Sequence, residues 1–184
     1  MPTMQRVAIT GSTGLIGNAL VGYLKSEGYT VQRLVRRPSR SAEEIMWDPQ
    51  AGTVDLEALA GVDAIIHLAG AGVGDKRWTK KYKSEILNSR LLGTTTIANA
   101  VNTVKPSVFI SASAIGWYGE TGNRAVIESD RAGDDFLAAV CREWEGAADL
   151  VQDVRTVKLR TGLVLDPTGG ALGRMLPLFR FGLG

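Results

Sequence analysis

Eight residues near the amino terminus, Thr10-Gly11-Ser12-Thr13-Gly14-Leu15-Ile16-Gly17, narrow the possible folds more than any other part of the chain. They come after an apolar run, Arg6-Val7-Ala8-Ile9-Thr10, and lead into helical spacing over residues 15–27, where Leu15, Ile16, Ala19, Leu20, Tyr23 and Leu24 recur on one side. A strand that turns through glycines straight into a helix is where an α/β sheet seats a phosphate. Gly11 permits the tight turn, Gly14 lets backbone approach a diphosphate, and Gly17 lets helix and strand pack closely. The helix N-terminus then presents free N–H groups and a partial positive charge to the anion. The spacing is GxxGxxG, not GxGxxG, and glycine turns also serve as plain connectors. Its place after the very first strand favours the phosphate.

The rest of the chain repeats the alternation. Strand patterns are expected at 30–35, 44–47, 63–69, 108–113 and 154–160, and helical ones at 78–104 and 136–150. Alternating strands and helices predict a doubly wound parallel α/β sheet of Rossmann type, with about six strands and helices on both faces. After Gly169-Gly170 the residues Leu172, Met175, Leu176, Leu178, Phe179 and Phe181 form an apolar segment that needs a cover. We therefore expect residues 1–165 to be a dinucleotide-binding domain and 166–184 the start of a truncated substrate-binding region. The alternative is a terminal helix packed on the sheet.

Composition removes whole classes of function. With 21 Lys+Arg against 19 Asp+Glu, the formal charge of +2 is too even to suggest nucleic acid. One Cys and one His exclude a disulfide framework and a Cys/His zinc site, so no metal is expected. Residues 1–6 carry no leader pattern and no apolar run approaches the roughly 20 residues of a membrane span, which makes a cytoplasmic protein the default reading.

The second strand selects the cofactor. A ribose-binding carboxylate belongs about 20 residues past the loop in an NAD protein. Leu34-Val35-Arg36-Arg37-Pro38 stands there instead, and two guanidiniums can clamp a 2′-phosphate. NADP is expected over NAD, against the plainer reading of a solvated basic loop. Leu68, Ala69 and Gly70 read as a strand end passing under the cofactor. The cluster Gly70-Ala71-Gly72-Val73-Gly74 also allows a methyl-donor loop as a third reading.

Several motifs together resemble one family: the glycine loop, Trp47-Asp48-Pro49, His67-Leu68-Ala69-Gly70, Arg77-Trp78-Thr79, Ser89-Arg90 with Gly93-Thr94, Ser111-Ala112-Ser113-Ala114-Ile115-Gly116 with Tyr118-Gly119, Trp144-Glu145 and Arg160-Thr161-Gly162. In this order they resemble the atypical extended short-chain dehydrogenases described as nucleoside-diphosphate sugar epimerase-like. The resemblance implies NADP held by Arg36 and Arg37, with Leu68 and Ala69 along its path. Glu85 and Arg90 would reach the ribose–diphosphate region, and Val164 would lie near the nicotinamide. It also implies roughly another hundred residues of substrate-binding chain, in line with ordinary domain sizes. Pairing of two copies through long helices, here 78–104 and 136–150, is implied as well.

The resemblance further implies hydride transfer with a Ser, a Tyr and a Lys one helical turn after the Tyr. Ser113 matches the Ser. The other two do not match: Phe136 and Val140 stand where Tyr and Lys belong, and no Tyr in the chain has Lys four residues on. Tyr118 is the candidate substitute, with Glu128, Asp134 and Asp135 as further proton donors. A Ser113–His67 dyad is conceivable, although His67 reads better as packing at the end of the sheet. Two functional readings stand side by side. One is an NADP-dependent oxidoreductase or epimerase using Ser113 and Tyr118 on a small polar substrate such as a nucleotide sugar. The other is a non-catalytic NADP(H)-binding sensor or scaffold.

Overall fold

The computed structural model describes residues 5–183. The leader reading falls largely on residues 1–4, which lie outside the described residues, as does residue 184. Seven strands form one sheet: β1 (Arg6–Thr10), β2 (Thr30–Val35), β3 (Glu44–Asp48), β4 (Thr53–Val54), β5 (Ala64–His67), β6 (Val108–Ala114) and β7 (Arg155–Thr161). Their order is β4-β3-β2-β1-β5-β6-β7. Every pairing is parallel except β3 with β4. The helices are α1 (Leu15–Ser26), α2 (Leu56–Leu59), α3 (Lys80–Val104), α4 (Phe136–Ala148) and α5 (Gly170–Arg180).

The doubly wound sheet is as the alternation predicts, with one strand more. The additional β4 has only two residues, too few to show a period of two. A local turn makes it: the Asp48 carboxylate accepts from the Gln50 and Ala51 amides at 2.8 and 3.1 Å, and Gly52 turns through φ +69° to bring Thr53 back opposite Asp48.

Both faces of the sheet are covered, so the central strands are apolar throughout. Along β1, Val7 and Ile9 join Val21 of α1 and Ile66 of β5 on one face. Ala8 points the other way, to Ile65, Ile97 of α3 and Phe109 of β6. The same alternation puts Thr10, His67, Ser111 and Ser113 at the strands' C-terminal ends on the α3/α4 side, where all four are buried. That end is where an open parallel sheet offers a ligand site.

The terminal apolar segment is helical, as α5, but no residue of it is buried. Leu178 and Phe179 are about half exposed and Phe181, just past the helix, is 80% exposed. It does not pack on the sheet as a core helix.

Candidate functional site

The glycine loop is shaped by what a side chain would strike. Gly11 has φ +66°, and a Cβ there would lie 2.8 Å from the carbonyl carbon of Leu68. A Cβ on Gly17 would lie 2.2 Å from the Gly11 oxygen, so Gly17 seats the helix on the loop itself. The expected packing against the strand is replaced by packing against the turn. The Gly14 amide donates to Gly11 O at 3.0 Å and closes the turn. α1 starts at Leu15 with no side-chain cap and no acid in its first turn. Among the described residues the Leu15, Ile16 and Gly17 amides have no partner. Three orphan donors and an uncompensated helix end are what an anion needs.

Opposite the loop, Thr10 fixes the turn after β5. Its Oγ1 accepts from the Leu68 and Ala69 amides at 3.1 and 3.2 Å. With both acceptor positions used, its proton goes to His67 Nδ1, 2.7 Å away. Burial keeps His67 neutral, pushing its pKa down to about 3, and the Thr10 contact then puts its proton on Nε2, which has no partner among the described residues. It forms no dyad with Ser113.

Between these walls runs a crevice of about 950 Å³. Gly11, Ser12, Thr13, Gly14, Leu68, Ala69 and Gly70 line it, as do Arg36, Arg37 and Glu85. The 70–72 stretch forms its rim and is held from α3. Tyr82 Oη donates to Gly72 O, Ser89 Oγ accepts the Ala71 amide at 3.0 Å, and Arg90 Nη1 donates to Ala71 O at 2.9 Å. The sequence reading misses Tyr82 and Ser89 as site residues, although positions 82, 86 and 89 fall on one helical face. Arg90 stands behind the rim and not in the crevice, its guanidinium 4.8 Å from the Trp144 ring centroid. Val164 is also absent from the lining, as are Leu15, Ile16 and Gly17, which stand behind the loop at the start of α1.

The two arginines are not equivalent. Arg37 is bound bidentately by Glu44, Nη1–Oε2 at 2.7 Å and Nη2–Oε1 at 2.5 Å. Arg37, with the Arg40 amide, holds the Glu44 carboxyl down at about 2. Arg36 is exposed on the crevice wall and makes no hydrogen bond or ion pair among the described residues. The sequence reading overlooks Glu44, which opens β3 in register with Arg33.

The expected chemical groups lie elsewhere. Ser113 is 4% exposed, and its hydroxyl donates to Glu145 Oε1 at 2.6 Å. Burial would raise the Glu145 carboxyl, but Arg160 and Ser113 outweigh it and hold it below the ordinary value. Arg160 grips Glu145 at 2.8 and 2.9 Å, donates to Tyr118 Oη at 3.0 Å and covers the Trp117 ring at 4.0 Å. Neither Ser113 nor Tyr118 lines the crevice. Tyr118 borders a separate hollow of about 320 Å³ with Asp134 and Asp135, the latter also capping α4. Phe136 packs edge-on to Trp78 at 5.4 Å, with Lys83 Nζ 4.9 Å from its ring centroid. Val140 is buried with Tyr82 and Ile86. Among the described residues there is no metal-binding cluster and no helix long and apolar enough to cross a membrane.

Comparison with known proteins agrees with this architecture. The family model described as the NAD dependent epimerase/dehydratase family matches residues 7–137. An epimerase family protein of Mycobacterium leprae is 44% identical over 180 residues, covering 97% of this chain and 59% of the relative. The crystal structure of the human epimerase family protein SDR39U1 with NADPH superposes with a TM-score of 0.87 at 34% identity, over 98% of this chain and 61% of that one. A nucleoside-diphosphate sugar epimerase from Corynebacterium glutamicum gives 0.83 at 38% identity, over 95% and 37%. The chain thus spans about 60% of the length of the curated relatives it matches.

Proposed function

The chain belongs to the NAD dependent epimerase/dehydratase family, and from that premise we propose that its crevice holds NADP(H) for oxidoreductase or epimerase chemistry on a small polar substrate such as a nucleotide sugar. One observation carries the cofactor choice. Arg36 offers on the wall a guanidinium that is unpaired among the described residues, while Glu44 occupies Arg37. The Leu15, Ile16 and Gly17 amides, open among the described residues, would hold the diphosphate, with Ser12 and Thr13 on the adjoining crevice wall. Arg36 would take the 2′-phosphate, and Arg37, tied to Glu44, keeps the wall in place. Leu68, Ala69 and Gly70 line the path toward the nicotinamide, which supplies hydride transfer when bound. The relative solved with NADPH supports this choice.

For the proton we propose Tyr118, held by Arg160 beside the neighbouring hollow and outside the crevice lining. Ser113 is a positioning residue acting through Glu145 and Arg160. Residues 1–165 bind the cofactor and 166–184 begin the substrate region. We place the protein in the cytoplasm, as a homodimer through α3 and α4.

A second reading, a non-catalytic NADP(H) sensor or scaffold, has its own observation. The relay positions are Phe136 and a buried Val140, and Ser113 donates inward. A nicotinamide absorbance assay over sugar nucleotides and simple carbonyls separates the two. Turnover that is lost in Tyr118→Phe supports the enzyme. Tight NADPH binding with no turnover on any of them supports the sensor.

A further inference from the structure

We propose that Arg174 of α5 is a positioning residue for the dinucleotide site, a latch that ties the two rims of the crevice together over the bound diphosphate. The inference rests on the NADP(H) reading of the crevice. The start of α5 is seated on the glycine-loop side. A Cβ added to Gly169 or Gly170 would lie 3.2 Å from the Leu15 side chain, and Leu15 is the first helical residue of α1. Gly170, at φ +62°, turns the chain into α5 at that point. From Gly170 to Arg174 a helix advances about 6 Å. There the guanidinium reaches the opposite rim: Nη1 donates to Gly74 O, and Nη2 pairs with Asp75 Oδ1 at 2.7 Å. Asp75 and Gly72 line the crevice on that side, as Gly11 and Gly14 do on the other.

The tie is built to open. No residue of α5 is buried, and the Arg174–Asp75 pair is 62% and 51% exposed. Such a pair adds little to the stability of the fold. Arg174 itself does not line the crevice, so its effect on a ligand comes through Asp75 and Gly72, which do. A purely structural surface pair would alter neither the escape rate nor its salt dependence.

Stopped-flow release of NADPH from the full chain, followed by nicotinamide fluorescence, tests this. Arg174→Ala is expected to speed release roughly fivefold, the limit an exposed pair of about 1 kcal/mol allows. Because the tie is already made without a ligand, entry needs the same opening, so association should speed up alongside release. The thermal midpoint of the ligand-free protein should fall by no more than about 4 °C, the most an exposed pair of this kind supports. Arg174→Glu should also speed release, and combining it with Asp75→Arg should restore the slow rate. Release from Arg174→Ala at the wild-type rate, or a reversed pair that fails to restore it, overturns the latch. Wild-type protein that binds no NADPH overturns it through its premise, a different result from binding with indifferent variants.

Discussion

Thr10 and His67 carry the finest detail of the site. The hydroxyl accepts two turn amides and gives its proton to an imidazole that must stay neutral to receive it. The consequence appears in acid. With a native pKa of about 3 and an ordinary value of 6.5, the unfolded chain binds a proton between these limits that the folded chain refuses. Stability therefore falls as pH drops through that window, by up to about 1.4 kcal/mol per unit. His67 is the only histidine, and carboxylates barely titrate above pH 5, so urea midpoints at pH 6.5 and 5 isolate it. Equal midpoints would contradict a buried neutral His67. The place of this residue at the sheet's end is legible in the sequence. Its partner is not, because the Thr10–His67 register exists only once β1 and β5 pair.

At the scale of the element, α1 shows why two glycines of one helix differ. Gly22 is exposed and a Cβ there meets nothing within 4 Å, whereas one on Gly17 meets the Gly11 oxygen at 2.2 Å. Gly22→Ala is expected to raise stability by about 0.5–1 kcal/mol, the helix propensity difference. Gly17→Ala gains the same propensity but must displace the loop, so it should lower both stability and dinucleotide affinity. Melting curves and NADPH titrations of the pair check this, and an improved Gly17→Ala would contradict the packing. The turn from strand to helix is legible because glycine spacing, strand and helix agree in one short stretch. β4 is not, since its two residues owe their place to Asp48 and Gly52.

For the whole molecule, the sheet divides into a half that carries the crevice and a braced half. On the braced side Arg160 of β7 donates to Glu145 of α4 and to Tyr118, and Ser113 of β6 donates to the same Glu145 carboxylate. Glu145 is 3% exposed and the Arg160 side chain 16%. Removing one partner leaves a buried charge unpaired, so Glu145→Ala should cost about 3–5 kcal/mol in chemical denaturation. A loss under about 1 kcal/mol would contradict this. Strand periodicity reveals both halves. It does not reveal that Ser113 faces inward or that Arg37 is already bound, because each depends on a carboxylate, Glu145 or Glu44, brought close by folding.

The central claim is that Arg36 and the open end of α1 select a phosphorylated dinucleotide. Calorimetric titration of wild type and Arg36→Ala with NADPH and NADH tests it most directly. A charge-assisted contact worth about 1.5–3 kcal/mol should make wild type favour NADPH by roughly tenfold or more, and Arg36→Ala should abolish that preference. Equal affinity of the wild type for both dinucleotides, or a preference that survives in Arg36→Ala, would contradict it.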